Sequence, residues 1–248
     1  MNLQNYLQFI RIDEMNIGSR WTDDEKAEFS ELQLENLIES LDAMKKYRIK
    51  CWVDCGTLLG MYRDKQIIAG DSDTDTGALV EGFKPDFVED FADNLTIPGE
   101  TRSSIFFTPE EFLEGYEDEN KWVAPKGFKY QMKKKGRFVT FKSKPIMTDI
   151  FIYYPNGKDR IYGFGNGYFR TKEDTLAQGT KAITVGGKSF KILNQTEEHL
   201  VSMYGKGWET PDPKFDIEKA DIYGGPISKK TLGGKYLYNY KTGKHKIE

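Results

Sequence analysis

The chain is expected to fold as an α/β (α+β) protein, a mixed sheet flanked by helices. Three observations lead there. Helix-periodic and strand-like segments alternate loosely along the 248 residues. Apolar residues make up 38% and aromatic residues 14%, enough to build a buried core. No internal repeat is visible that would point to a solenoid. One main domain over 1–215 is expected, with 216–248 as a C-terminal extension containing Gly224-Gly225, Gly233-Gly234 and many lysines.

The first element is a helix over 22–48. Thr22 and Glu25 have capping-box spacing, and Phe29, Leu32, Leu34, Leu37, Ile38, Leu41, Met44 and Tyr47 recur close to helical period. Lys50–Asp54 reads as a short strand. Gly56 then opens GTLLGMYR, a tight turn entering a short helix. A polar loop follows, and a strand runs from about Asp73 through Val80. Pro85–Leu95 is expected as a short helix and 96–125 as an irregular insertion. Phe128–Met132 and Arg137–Lys142 read as a hairpin closed by KKKG, and Ile146–Tyr154 as the next strand. YGFGNGYFR is taken as a Gly-rich loop. A second hairpin turns at Gly186-Gly187, and Thr196–Tyr204 reads as a helix with a capping-box start.

Composition also excludes. The formal net charge of −3 argues against general affinity for nucleic acid. No run approaches the roughly 20 apolar residues of a membrane helix, and the first residues lack a secretory pattern, so a cytoplasmic protein with no membrane span is expected. Cys51 and Cys55 do not make a C-x-x-C pair, and two thiols cannot complete a zinc site. The histidines are His199 and His245 alone, which argues against a His-rich metal site and a Ser-His-Asp triad.

The sharpest feature is Asp71-Ser72-Asp73-Thr74-Asp75. In extended backbone, Asp73 and Asp75 point to one face and repel unless a proton or a cation intervenes. A calcium-loop reading fails, because the glycine falls at 77 instead of 76 and position 82 is glycine where glutamate is required. A solvated acidic turn and a catalytic magnesium or manganese site remain. A third acid, Asp149, stands in the apolar run IMTDIFIYY, where an unpaired carboxylate is costly. A nearby lysine would satisfy it; a metal ion would use it as third ligand. Alternation puts it on one face with Met147 and Phe151. Gly56 and Thr57, at a helix start, could offer N–H groups and a hydroxyl to a phosphate, and Arg63 could reach an anion. Residues 126–144 carry eight Lys or Arg and no acid. Lys133, Lys134 and Lys135 at its turn are expected either as a solvated face or as a positive wall over phosphates.

Together these residues resemble the LicD/fukutin family, with its polymerase-β-like nucleotidyltransferase fold. The resemblance runs through WVDCGTLLGMYRDKQIIAGDSDTDTGALV, TDIFIYY and FKILNQTEEHLVSMYGKGWETPDP, roughly Leu32 to Pro213. It implies a metal-dependent transfer of phosphocholine or a sugar-alcohol phosphate from a nucleotide (CDP)-linked donor to a glycan hydroxyl. Asp73, Asp75 and Asp149 would take the Mg2+ or Mn2+, and Gly56 and Thr57 the donor phosphate. Asp71, or secondarily Asp54, would be the general base. The chain departs from the family at Ala69-Gly70, where Pro-Trp is common, at Ser72, which interrupts an aspartate run, and at Ile152, where proline is usual. The alternatives are a metal-dependent glycosyltransferase using a nucleotide-sugar and a non-catalytic binding module with a degenerate site.

Overall fold

A computed structural model describes residues 21–96, 106–134, 137–164 and 167–248. The elements in chain order begin with α1 (Asp23–Lys46), β1 (Cys51–Val53), α2 (Cys55–Arg63), β2 (Thr74–Leu79), α3 (Pro85–Phe91), β3 (Leu95–Thr96) and α4 (Pro109–Glu117). Then come β4 (Phe128–Gln131), β5 (Lys133–Lys134), β6 (Arg137–Phe138), β7 (Thr140–Phe141), β8 (Lys144–Pro145), β9 (Met147–Asn156), β10 (Asp159–Phe164) and β11 (Gly167–Lys172). The chain finishes with α5 (Glu173–Ala177), β12 (Thr180–Val185), β13 (Lys188–Leu193), α6 (Thr196–Tyr204), α7 (Lys229–Leu232), β14 (Tyr236–Tyr238) and β15 (His245–Ile247).

The central sheet has seven strands, ordered β1-β2-β9-β10-β11, with β4 also paired to β9 and β3 to β4. Only β2 and β9 run parallel within it, so the sheet is mixed, as expected. Between β2 and β9 the chain supplies α3, α4 and β4. This long excursion is what a parallel pair requires, since the chain must return to the end where the first strand began, and a two-residue turn would leave the strands antiparallel.

Thr22 starts α1 as its composition indicates. Its hydroxyl accepts from the Glu25 N–H at 3.2 Å, and the Glu25 carboxylate accepts from the Thr22 N–H at 2.8 Å. The buried stripe of the helix is not purely apolar. Phe29, Gln33, Asn36, Leu37, Ser40 and Met44 are its buried residues. Asn36 Nδ2 donates to the Tyr130 carbonyl at 3.3 Å and to Thr148 Oγ1 at 3.0 Å, so α1 lies on the sheet face to which Thr148 points.

On that face Ile150, Ile152 and Tyr154 join Phe83, Phe87, Phe112, Phe128 and Tyr236 in the largest apolar cluster. On the other face Phe151 and Tyr153 pack with Trp52, Tyr162 and Phe169. A third cluster joins Val53, Leu58 and Met61 to Phe190 and Ile192 of the β12–β13 hairpin.

Four expectations change. The insertion contains α4, capped by Thr108 and Glu111 with a proline in its first turn. Phe128–Gln131 pairs with β9 instead of forming a hairpin with 137–142; the hairpin at this point is the two-residue pair β5–β6. The Gly-rich stretch is the β10–β11 hairpin, whose turn lies outside the described residues. The C-terminal stretch, expected as an extension with paired glycines and many lysines, buries Tyr236, Tyr238 and Tyr240 in the largest cluster. Among the described residues no helix is long and apolar enough to cross a membrane.

Candidate functional site

Thr74 and Thr148 point to the α1 side, where their hydroxyls meet at 2.7 Å. Side chains alternate along a strand, so Asp75 and Asp149 point to the opposite face. These two aspartates are register partners across the parallel pair β2–β9. Across the other edge of β9, Lys129 is the register partner of Asp149. One row of the sheet therefore reads Asp75, Asp149, Lys129. Asp73, two residues before Asp75, lies on the same face one row along.

Lys129 fills the middle of this group. Its Nζ stands 2.9 Å from Asp149 Oδ1 and 3.7 Å from Asp73 Oδ2, and 5.1 Å from the Phe106 ring centroid. Its side chain is 11% exposed, which makes the ammonium almost wholly dependent on these carboxylates for solvation. Burial pulls its pKa down, but Asp149 and Asp73 more than offset that, and the net direction is up.

Asp75 sits against the start of α2. Its Oδ2 accepts from the Gly56 N–H at 3.1 Å and the Thr57 N–H at 3.4 Å, while its own N–H donates to Thr57 Oγ1 at 2.8 Å. The helix start thus faces a carboxylate, as helix N-terminal N–H groups favour. A side chain at Gly56 would place its Cβ 3.1 Å from Asp71 Oδ2 and 3.5 Å from Asp75 Oδ2, so glycine leaves that room to the two acids. Burial, with Asp73, Asp71 and Asp149 around it, pushes the Asp75 carboxyl well above the ordinary range. Burial first, then Asp73, raises Asp71 to about 7.

The backbone under the cluster is held from α1. Gln33 Nε2 donates to the Asp71 carbonyl at 2.9 Å and the Asp73 carbonyl at 3.2 Å.

Beside the cluster lies a second, fully buried acid. Asp54 Oδ1 accepts from the Cys55 N–H at 2.9 Å and His199 Nε2–H at 2.7 Å; Oδ2 accepts from Trp52 Nε1–H at 2.9 Å and the Tyr153 hydroxyl at 2.7 Å. The Thr171 hydroxyl meets His199 Nδ1 at 3.1 Å. Burial alone would raise Asp54, but His199 and the other donors outweigh it and hold the carboxyl below the ordinary range. With four donors and no exposure, Asp54 is a structural anchor and not a general base. The Asp54 N–H donates to the Asp75 carbonyl at 3.1 Å, tying this anchor to the acidic strand.

The remaining sequence candidates are dispersed. Arg63 binds the Asp64 carboxylate at 2.7 Å and reaches the Trp208 carbonyl at 3.4 Å. Lys133 is 3.6 Å from Asp93 and Lys134 2.7 Å from Glu35; Lys135 lies outside the described residues. Lys126 and Lys142 pair with Glu111 and Glu25. Within the described part of the basic run, the side chain turned toward the acidic cluster is Lys129. The sequence signal for it was the alternation of Phe128 and Tyr130 with Lys129 and Gln131.

The donor set of Asp73, Asp75 and Asp149 fits a hard divalent cation in kind, being all oxygen, on one face, and over-charged. Among the described residues no three acidic, His or Cys side chains already stand as a metal cage. The Lys129 ammonium lies between two of the three carboxylates instead.

A mixed sheet with helices against it and an acidic cluster beside the start of α2 is an α+β fold of the nucleotidyltransferase-like kind. Residues 48–97 match the family model described as LicD/FKTN/FKRP, nucleotidyltransferase domain, the same similarity that the motifs of the sequence carry. The match spans β1, α2, β2, α3 and β3 and includes Asp71, Asp73 and Asp75; Lys129 and Asp149 lie beyond it. No curated protein gives a significant match to the chain.

Proposed function

We propose that the protein is a metal-dependent transferase that moves a phospho group, of phosphocholine or sugar-alcohol phosphate type, from a CDP-linked donor to a glycan hydroxyl. The LicD/FKTN/FKRP match supports a transferase in general terms. The observation that carries the finer reading is the register of Asp75 with Asp149 on neighbouring parallel strands, with Asp73 on the same face.

Asp73, Asp75 and Asp149 would hold the Mg2+ or Mn2+. When bound, such an ion neutralises charge on the donor phosphates and on the leaving nucleotide. The Gly56 and Thr57 N–H groups keep Asp75 oriented toward the cluster, and Gln33 fixes the carbonyls of Asp71 and Asp73 behind it. Asp71, raised to about 7, is suited to accept the proton of an acceptor hydroxyl at neutral pH. Lys129 adds positive charge where phosphate oxygens would arrive.

The test is a panel of CDP-, UDP- and ADP-linked donors, followed by mass spectrometry with and without Mg2+ or Mn2+. Consumption of a CDP-linked donor to release the nucleotide, abolished by excess chelator, is expected. Release of a free nucleoside diphosphate with transfer of the sugar alone would instead identify a glycosyltransferase. No turnover of any donor would overturn the enzymatic reading.

A further inference from the structure

We propose that Lys129 is the resident cation of the acidic cluster: its ammonium holds Asp149 and Asp73 together in the metal-free protein and must give way when a divalent ion enters. The inference rests on the metal reading above, and deepens it by naming a residue that sets how tightly the metal is held.

The argument is one of charge in a confined place. Four carboxylates, those of Asp71, Asp73, Asp75 and Asp149, gather at the ends of two neighbouring strands. Among the described residues, the Lys129 ammonium answers them from the register position opposite Asp149. It lies at 2.9 Å from Asp149 and 3.7 Å from Asp73, with its stem almost covered and the Phe106 ring beside it. At such separations unit charges interact strongly even at a protein-like effective dielectric. A divalent ion drawn to Asp73 and Asp149 needs the oxygens the ammonium already contacts. Lys129 therefore competes with the metal directly, and repels it after displacement.

Lys129 is thus a positioning residue with a trade-off built in. It keeps the carboxylates from flying apart before metal arrives, and it weakens the metal site. Once displaced, an ammonium on this row is well placed to meet an anionic donor, so metal entry and donor capture become linked.

The experiment uses the full chain, Mn2+ alone, and three proteins: wild type, Lys129→Met and Lys129→Arg. Free Mn2+ is followed by electron paramagnetic resonance, and metal-free melting by calorimetry. Lys129→Met should bind Mn2+ about 10-fold more tightly or better, since a like charge several ångströms away has gone. The same variant should melt several degrees lower than wild type without metal, and regain that loss in saturating Mn2+. Lys129→Arg, which keeps the charge, should stay near wild type in both readouts. A merely structural lysine predicts lower melting in every condition with Mn2+ affinity unchanged or weakened. That outcome overturns the inference while leaving the metal site standing. Absence of Mn2+ binding in wild type and Lys129→Met alike overturns the metal reading, and the inference with it.

Discussion

Replacing His199 by leucine tests the idea that Asp54 is an anchor for the site and not part of its chemistry. The carboxylate is completely buried and takes four hydrogen bonds, one of them from His199 Nε2–H at 2.7 Å. Breaking a buried pair by removing one partner costs about 3–5 kcal/mol, because the other charge remains without full compensation. Three donors stay with Asp54, from Trp52, Tyr153 and the Cys55 backbone, which argues for the lower half of that range. The Thr171 hydroxyl loses its ring partner as well, for about 1 kcal/mol. The expected total is about 4 kcal/mol, a large part of the 5–15 kcal/mol typical of a folded domain.

Urea unfolding of wild type and His199→Leu measures this directly as a fall in midpoint. The second variant needed is Asp54→Asn in the His199→Leu background. An amide carries no stranded charge, so the double variant should regain at least about 1 kcal/mol relative to the single one. A loss below about 1 kcal/mol for His199→Leu, or no recovery in the double variant, would refute the anchoring argument. The wild-type pair also has a pH signature. The folded Asp54 carboxyl lies below its ordinary value, so its contribution is complete above about 4 and is lost as pH falls through the lower folded value.

Three further outcomes follow from the same geometry. Gly77→Ala would bring a Cβ to 2.4 Å from Asp54 Oδ2 and 2.5 Å from the Trp52 ring, so a loss of about 3 kcal/mol or failure to fold is expected, read by urea midpoint or soluble yield. Asp73→Asn and Asp75→Asn should each lower kcat by about 10²-fold with the fold retained by circular dichroism; a variant keeping half of wild-type kcat is not a metal ligand. In metal-free protein, Asp71 titrates near 7 when folded and near 4 when unfolded, so the folded state binds more protons between these values. Stability should therefore fall as pH rises from about 4 to about 7, and a urea midpoint at pH 7.5 equal to or above that at pH 5 would contradict it.

What the sequence revealed and what it concealed divide along physical lines. The spaced aspartates and Asp149 were legible because alternation in a strand fixes which side chains share a face, whatever the rest of the fold does. The parallel register then sets Asp75 beside Asp149. Lys129 was hidden among eight basic residues, because choosing it over Lys133 or Lys134 requires knowing that β4 pairs with β9. His199 was set aside as one of only two histidines; the four-donor cage it completes joins residues 145 positions apart in the chain. The C-terminal stretch was hidden by its glycines and lysines, although every residue from Tyr236 to Tyr240 is buried.

The polar residues of α1 make the same point from the other side. A helix packed on a sheet is expected to bury apolar residues at every turn, and Leu32, Leu34 and Ile38 look like the stripe. The stripe actually passes through Gln33, Asn36 and Ser40. The reason lies in the strand beneath. The Asp71 and Asp73 carbonyls stand just before β2 begins, so the sheet ladder does not serve them, and burying them without donors would be costly. Gln33 supplies both hydrogen bonds. Asn36 does the same for the Tyr130 carbonyl beside Lys129 and for Thr148 beside Asp149. An apolar helix face would have packed as well, but it would have left the backbone that carries the acidic cluster unpinned. The amphipathic pattern was therefore broken where the helix supports the site, and a break of that kind, two amides at positions three apart within an otherwise core-facing stripe, is itself a signal readable in a sequence.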